Sequence, residues 1–325
     1  MTLVTDKPAA SPKFGINWPS RQVGRELLPA FSLLVTLLAI AWLNPRAISY
    51  LGFNLMLNLA IPIAFATVAQ MFVIAVGDLD LSVGFFVSFI ACVTVTFLSS
   101  QPLLGWAVIA AAVAIYALVG ALIHIRNLPS IVVTLGMSFV WQGLSLMVLP
   151  KPGGSAPRWL TSFMNFHTPF VPFPILAALV LALVVHFGLM RTSYGTILRG
   201  VGGNPAALSR AGWSILKARM VAFSLAGIFG VLSGMALVGI STAADANIAG
   251  GYTLLAIAGV ILGGGEFTGG RVSPSGAVIG ALTLTLASSS MLSFMHIPPD
   301  WQIGANGALL IIVLALRALI SRRKA

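Results

Sequence analysis

Ten stretches of this sequence are apolar for long enough to cross a lipid bilayer. A helix needs about 20 apolar residues to span the hydrocarbon layer, which is about 30 Å thick. The stretches lie near residues 27–43, 53–76, 82–99, 103–124, 130–149, 172–190, 218–240, 252–268, 275–294 and 302–320. Backbone polar groups inside lipid must bond to one another, so segments of this kind fold as helices. We therefore predict an all-α integral membrane protein with about ten transmembrane helices.

The charged residues agree with a membrane location and predict its orientation. Only 8% of the residues are charged and 58% are hydrophobic, against about 25% charged in ordinary soluble domains. With the N-terminus inside, fifteen of the eighteen lysines and arginines fall in cytoplasmic segments, as the positive-inside rule requires. We expect cytoplasmic tails at 1–26 and 321–325 around a transmembrane domain at 27–320. The net charge of +11 then reflects orientation, and no nucleic-acid partner is expected.

Chemistry of its own is not expected from this chain. The four histidines are scattered singly, so no metal or other cofactor is predicted, and Cys92 lies in an apolar run typical of a buried thiol. The stretch "GGEFTGGR" (264–271) has the glycine spacing of a phosphate-binding loop, but Arg271 stands where Lys and then Ser or Thr are required. No convergent set of carboxylates supports a membrane enzyme. We therefore predict a transport subunit that is not an enzyme.

Two long connections separate the apolar stretches. The external one, 150–171, is rich in proline and glycine and predicts an irregular cap. In the cytoplasmic one, 191–217, Asn204 is suited to cap a helix, Pro205 to its first turn and Gly212 to its exit. We predict a short surface helix there, from about Pro205 to Ala211. The alternative is a solvated, positively charged loop.

A weak internal repeat places acidic residues inside the apolar part of the chain. The stretch "DLDLSVGFFVSFIACV" (78–93) aligns with "DANIAGGYTLLAIAGV" (245–260). This alignment pairs Asp78 with Asp245, Asp80 with Asn247 and Gly84 with Gly251. Five spans separate the copies, so they enter the membrane from opposite sides, as in the inverted repeats of transporters. We predict such repeats at about 50–150 and 217–320, with chance similarity between small apolar residues as the alternative.

Paired helix starts in inverted repeats commonly flank a substrate site. Asp80 and Asn247 are expected at helix N-termini, where an oxygen acceptor satisfies free N–H groups. Capping alone explains Asp80, and substrate contact is a second possible role. The predicted substrate pathway is lined by Asp80, Ser82, Gly84, Asp245, Asn247 and Gly251.

Four ordered motifs resemble one family. "GDLDLSVG" (77–84) resembles the GGxDLSVG signature of membrane permeases from bacterial ABC importers of monosaccharides such as ribose, xylose and galactose. "TLGMSFVWQGLSLMV" (134–148), "GGNPAALSRAGW" (202–213) and "GGYTLLAIAGVILGGGEFTGGR" (250–271) are similar to its fifth-span, coupling and second-half motifs. The resemblance covers roughly residues 45–320.

The resemblance implies a homodimeric permease of the bacterial inner membrane that moves a monosaccharide, or a similar small polyhydroxylated solute, by alternating access. It implies a separate cytoplasmic ATPase and a periplasmic sugar-binding protein as partners. It also implies that the ATPase contacts the coupling residues Gly203, Asn204, Pro205, Ala206, Ala207, Arg210 and Gly212.

Several positions depart from the family pattern. Asp78 replaces a glycine, and Ala206 replaces a glutamate in the coupling segment. Thr253 and Leu255 stand where many relatives have Glu and Asp, which leaves the identity of the sugar open. The alternative function is an ion-coupled secondary carrier, in which one of Asp78, Asp80, Asp245 and Glu266 would bind the coupling cation.

Overall fold

A computed structural model describes residues 21–291 and, beyond them, residues 301, 304, 307, 308 and 311. Its helices are α1 (Arg21–Leu43), α2 (Tyr50–Asn58), α3 (Ala60–Ala75), α4 (Val83–Val93), α5 (Pro102–Ile125), α6 (Ser130–Val148), α7 (Arg158–Met164), α8 (Phe173–Leu183), α9 (Ser193–Gly203), α10 (Pro205–Arg210), α11 (Ile215–Ser241), α12 (Tyr252–Leu262) and α13 (Pro274–Thr285). Within the described part of the chain, the only extended pairing is an isolated antiparallel bridge between Gly153 and Ala244. The all-α fold is therefore confirmed.

Nine of the ten predicted spans coincide with helices, and the tenth, 302–320, lies mostly outside the described residues, as do the predicted tails. Turns of π-helix extend α4 over Thr94–Leu98, α8 over Val184–Met190 and α13 over Leu286–Met291. By length and composition, α5, α6, the extended α8 and α11 can each cross a membrane, and α2 with α3, bent by 43°, makes a fifth candidate.

Two of the helices at predicted spans are too short to cross the hydrocarbon layer, and one of them is shorter than the sequence suggested. Helix α12 has 11 residues, which is about 16 Å of helix, and ends at Leu262 rather than near 268. The extended α4, Val83–Leu98, reaches only about 24 Å. Non-helical segments precede both helices, at residues 77–82 and 242–251. The backbone of these segments therefore needs hydrogen-bond partners from elsewhere in the protein.

Helix α11 forms the centre of the bundle and packs against α3, α4 and α5. Glycine permits its closest contact with α4, since a Cβ on Gly234 would lie 2.8 Å from the carbonyl oxygen of Val87. On the α3 side, the Ser233 hydroxyl donates to the Pro62 carbonyl at 2.6 Å. Helices α5, α6 and α8 instead expose most of their apolar surface. Such surfaces suit contact with lipid or with another membrane subunit.

The connection 150–171 was predicted to be irregular. This prediction is wrong for the middle of the connection, which is helical. Helix α7 forms there because Leu160 and Met164, four residues apart, bury one helical face. Both side chains pack closely around Gly239 of α11. The connection is also tied to the segment before α12 by the bridge between Gly153 and Ala244, with N–O distances of 2.9 Å in both directions.

The connection 191–217 contains the predicted short helix, so the loop alternative is wrong. Helix α10 begins at Pro205 and ends at Arg210, and the Asn204 Oδ1 accepts the Ala207 N–H at 3.0 Å. Gly212 takes a positive φ of 84° just after it, a conformation that glycine adopts without strain. The sequence did not indicate α9, which occupies the first half of the same connection and ends directly before Asn204.

Candidate functional site

The first turns of α4 and α12 contact each other, so the two copies of the predicted repeat meet at their helix starts. The Gly84 N–H donates to the Thr253 hydroxyl at 3.0 Å, and the Ala249 N–H donates to the Ser88 hydroxyl at 3.0 Å. A Cβ on Gly84 would lie 2.6 Å from the Ala249 carbonyl oxygen. Only glycine therefore allows this approach, and each copy supplies a hydroxyl that satisfies a backbone donor of the other.

Asp80 lies in the interior with its carboxylate fully bonded. Its Oδ1 accepts from the N–H and the hydroxyl of Ser82 at 2.7 and 2.6 Å, and its Oδ2 accepts from the Tyr116 hydroxyl at 2.8 Å. The residue is 1% exposed. Hydrogen bonds to a charged group contribute about 1.5–3 kcal/mol each. Asp80 thus holds the segment before α4 against α5.

Side chains from α3 and α6 satisfy the unwound backbone around Asp80. Ser130 and Thr134 of α6 accept the N–H groups of Leu79 and Leu81 at 3.1 and 3.0 Å. The amide of Gln70 from α3 bonds the N–H and carbonyl of Asp80 at 3.2 and 3.0 Å. Non-helical backbone at membrane depth is tolerated where protein encloses it in this way.

Asp245 makes the same local turn in the second copy. Its Oδ1 accepts the Asn247 N–H at 2.8 Å, just as Asp80 accepts the N–H two residues further on. The local geometry therefore equates Asp80 with Asp245, whereas the sequence alignment paired Asp245 with Asp78. Small apolar residues match in either register, so the alignment did not distinguish the two.

Only some of the predicted pathway residues face open space. Asp80, Ser82 and Gly84 are packed in the interior, Asp245 is half-buried, and Asn247 and Gly251 are exposed. Asn247 lies five residues before α12, whose N-cap is Gly251, so the expectation that Asn247 caps a helix is wrong. Asp80 does bond the N-cap residue Ser82, but the N–H of Gly84 inside α4 is capped by Thr253 from the other copy.

Asn247 has a side-chain partner that was not expected from the sequence. Gln142 of α6 donates from Nε2 to the Asn247 Oδ1 at 2.8 Å. Around this pair, α6 exposes apolar side chains, including Phe139, Val140 and Met147. A lone amide within an apolar span was the available signal, because polar groups in membrane helices are costly and usually functional. The two amides form a polar patch on an otherwise apolar face.

Asp78 has a partner that the sequence did not indicate. Its Oδ2 lies 2.8 Å from Nε of Arg219, in the first turns of α11. Neither atom has a hydrogen-bond partner within the described part of the chain, so the contact is an ion pair without hydrogen-bond geometry. Asp78 is 5% exposed and Arg219 keeps 22% of its side chain exposed, so the pair removes the carboxylate from solvent and the guanidinium only in part. This position therefore serves an internal ion pair and does not mirror Asp245, which bonds its own turn.

The connection 191–217 offers an exposed surface. All six residues of α10, which include the predicted coupling residues Pro205, Ala206, Ala207 and Arg210, are at least partly exposed. Trp213 and Tyr194 nearby are 48% and 65% exposed. Aromatic side chains are enriched in protein interfaces. Among the described residues, no group of three or more His, Cys, Asp or Glu side chains is placed to hold a metal ion.

Comparison with known proteins supports one family. The family model described as "Branched-chain amino acid transport system / permease component" matches residues 52–314. The D-allose transport system permease protein AlsC of Escherichia coli is 27% identical over 78% of this chain and 79% of its own length. The ribose import permease protein RbsC of Bacillus subtilis is 28% identical over 93% of this chain and 94% of its own.

A third relative, the L-arabinose ABC transporter permease protein AraH of Azospirillum brasilense, is 29% identical over 83% of this chain and 79% of its own length. No solved structure matches the chain.

Proposed function

We propose, on the premise that this chain belongs to the branched-chain amino acid transport system / permease component family, that it is the membrane-spanning permease subunit of an ABC importer for a monosaccharide. The main observation in support of this function is the family match over residues 52–314, which extend from α2 to beyond α13. Relatives named for ribose, allose and arabinose support a sugar as the substrate. The protein is a multi-pass inner-membrane transport subunit, and the family does not favour an ion-coupled secondary carrier.

The substrate path runs along the face that carries Gln142, Asn247 and Gly251. A sugar is neutral and polyhydroxylated, so its path needs amide or hydroxyl groups and little fixed charge. The Gln142–Asn247 pair supplies donors and acceptors, and a Cβ on Gly251 would meet nothing within 4 Å. The other predicted pathway residues support this path indirectly, because they fix the starts of α4 and α12. They are Asp80, Ser82, Gly84 and Asp245.

A second copy of the chain encloses this path. An amide pair that faced lipid would be costly, whereas the same pair facing a second copy would lie in a shared polar path. Helix α6 suits close packing there, since Cβ atoms on Gly136 and Gly143, seven residues apart and so on one face, would meet nothing within 4 Å. We therefore assign a homodimer in which each copy contributes one wall.

The energy comes from a separate ATPase that binds the cytoplasmic connection. The chain has no GK[ST] loop, so ATP must bind another subunit. Helix α10 is exposed and is capped by Asn204, so it offers a defined surface for docking, with Gly203 and Gly212 at its two ends. A sugar-binding protein delivers the substrate on the opposite side. Both termini are cytoplasmic, because the basic connection 191–217 then lies inside.

Uptake into proteoliposomes tests this function. The permease is purified from its native membrane with the proteins bound to it and reconstituted, and ribose, galactose, allose and arabinose are offered with radiolabel. We expect uptake of at least one sugar that requires internal ATP and survives ionophores that collapse ion gradients. Uptake that follows an imposed ion gradient without ATP would instead establish a secondary carrier.

A further inference from the structure

Three segments of the backbone touch at the C-terminal end of α9. A Cβ on Gly202 would lie 2.2 Å from the carbonyl oxygen of Ala75 and 2.4 Å from the nitrogen of Gly270. A Cβ on Gly269 would lie 2.7 Å from the Cα of Gly77 and 2.9 Å from that of Gly202. The Gly270 N–H also donates to the Ala75 carbonyl at 3.0 Å. We call this contact the glycine joint.

The glycine joint connects the docking surface with both copies of the predicted repeat. Gly202 lies two residues before Asn204, which caps the exposed helix α10. Ala75 and Gly77 lead into the segment that holds Asp80 and starts α4. Gly269 and Gly270 follow α12. One short stretch of α9 therefore touches the chain on the approach to α4 and at the exit of α12.

Helix α10 itself is placed to act through α9. Leu208 of α10 packs on α9, where a Cβ on Gly200 would lie 3.1 Å from its Cδ1. All six residues of α10 keep some exposure. A displacement of α10 thus reaches α9 through a side-chain contact. From α9 onward the contacts are between backbone atoms, which leave no flexible side chain to absorb the movement.

We propose that the glycine joint carries the ATPase's movement to α4 and α12 together, with Gly202 as a positioning residue for transport. This inference rests on the proposed ABC permease function. The starts of α4 and α12 contact each other beside Gly251 in the proposed path. One movement of α9 therefore shifts both helices together. Gly188 offers a matched control, because it is an exposed helical glycine outside the joint and the docking surface, and its Cβ would meet nothing within 4 Å.

A cysteine reporter at Gly251 tests this without knowledge of the sugar. In a Cys92→Ala background, Gly251→Cys is labelled with a water-soluble maleimide in the complex isolated with its ATPase, first without nucleotide and then with ATP and vanadate. We expect Gly202→Ala to reduce the ATP-dependent change in labelling rate by about five-fold or more, near the lower end of typical coupling between sites. ATP hydrolysis should persist, and Gly188→Ala should leave the change intact.

The outcomes separate the two proposals. An ATP-dependent change that survives in Gly202→Ala, or is lost equally in Gly188→Ala, overturns the role of the joint alone. If the complex that carries neither substitution shows no ATP-dependent change in the labelling rate, the ABC function is contradicted, and this inference with it. If Gly202→Ala fails to accumulate in the membrane, Leu208→Ala decides, because it removes the side-chain contact of α10 with α9 at Gly200 without adding an atom to the joint. Loss of the change in a Leu208→Ala complex that retains its ATPase supports transmission through α9 and the joint, and an unaltered change overturns it.

Discussion

Asp78 and Arg219 form an ion pair across 141 positions of sequence, with 2.8 Å between Oδ2 and Nε. The pair fastens the segment before α4 to the start of α11, the central helix of the bundle. Asp78 directly follows Gly77 of the glycine joint, so both contacts hold the segment before α4. A buried pair of this kind contributes little compared with an apolar pair, but loss of one partner leaves an uncompensated charge.

Removal of the Asp78 charge should destabilise the protein. We expect Asp78→Asn to lower the free energy of unfolding by about 3 kcal/mol, the lower end for a broken buried pair, because Arg219 keeps 22% of its side chain exposed. Arg271→Gln is the control, since its pair with Glu266 at 3.5 Å is more exposed and should be worth about 1 kcal/mol or less. Thermal unfolding in detergent measures both. Equal midpoints for the two variants would refute a structural role of the pair.

Asp80 should tolerate asparagine far better than leucine. Asparagine keeps an oxygen for the Ser82 N–H, whereas leucine leaves that N–H without an acceptor and leaves the Ser82 and Tyr116 hydroxyls only each other, 3.1 Å apart. Each buried polar group left unbonded costs about 1–3 kcal/mol. We expect near-normal sugar uptake from Asp80→Asn and none from Asp80→Leu. Tyr116→Phe, which removes one bond to Asp80, should fall between them. Equal failure of Asp80→Asn and Asp80→Leu, with both proteins present in the membrane, would favour an ion-coupled role.

Helix α10 should depend on its cap. Asn204→Ala removes the acceptor for the Ala207 N–H, at about 1 kcal/mol, and a six-residue helix has little else to hold it. Ser214→Ala removes a similar cap from α11, but packing along 27 residues holds that helix in place. We expect only Asn204→Ala to reduce the amount of ATPase that co-purifies. Equal retention of the ATPase by both variants would argue against α10 as the docking helix.

The amide pair should matter for transport and not for folding. Gln142→Leu removes a hydrogen-bonding group from the proposed path, and we expect uptake to fall by about ten-fold, equivalent to one hydrogen bond of about 1.4 kcal/mol. Met147→Leu, on the same helix and 79% exposed, serves as the control and should transport normally. Initial rates of ATP-driven sugar uptake give the comparison. Normal uptake by Gln142→Leu would move the path elsewhere.

Thiol accessibility should distinguish the exposed pathway residues from the packed ones. In a Cys92→Ala background and without nucleotide, Asn247→Cys should react with small water-soluble reagents, whereas Ser82→Cys should not, because Ser82 is 1% exposed. Ser155→Cys in the exposed external connection provides the positive control. The fraction labelled, read by mass spectrometry, decides the point. A reactive Ser82→Cys beside a protected Asn247→Cys would place the path between α4 and α12 instead.

Two of the family motifs found in the sequence form the segment before α4 and the exposed helix α10. "GDLDLSVG" forms the segment and first turn of α4, and "GGNPAALSRAGW" contains α10 with both of its ends. The inverted repeats stay a prediction, because the register in which their local turns agree differs by two residues from the sequence alignment. Repeats in membrane helices use the same few small apolar residues, so sequence alone aligns them loosely.

The sequence by itself determined those features that depend on residues close together in the chain. Long apolar stretches require helices in lipid, and Asn204, Pro205 and Gly212 define α10 through bonds that reach only three or four positions along the chain. The tertiary structure alone decided which polar groups meet: Asp78 with Arg219, Gly84 with Thr253, Gln142 with Asn247. These contacts join segments more than a hundred residues apart. Their partners depend on how the helices pack and on where glycine lets two backbones touch, and neither is encoded in any local stretch.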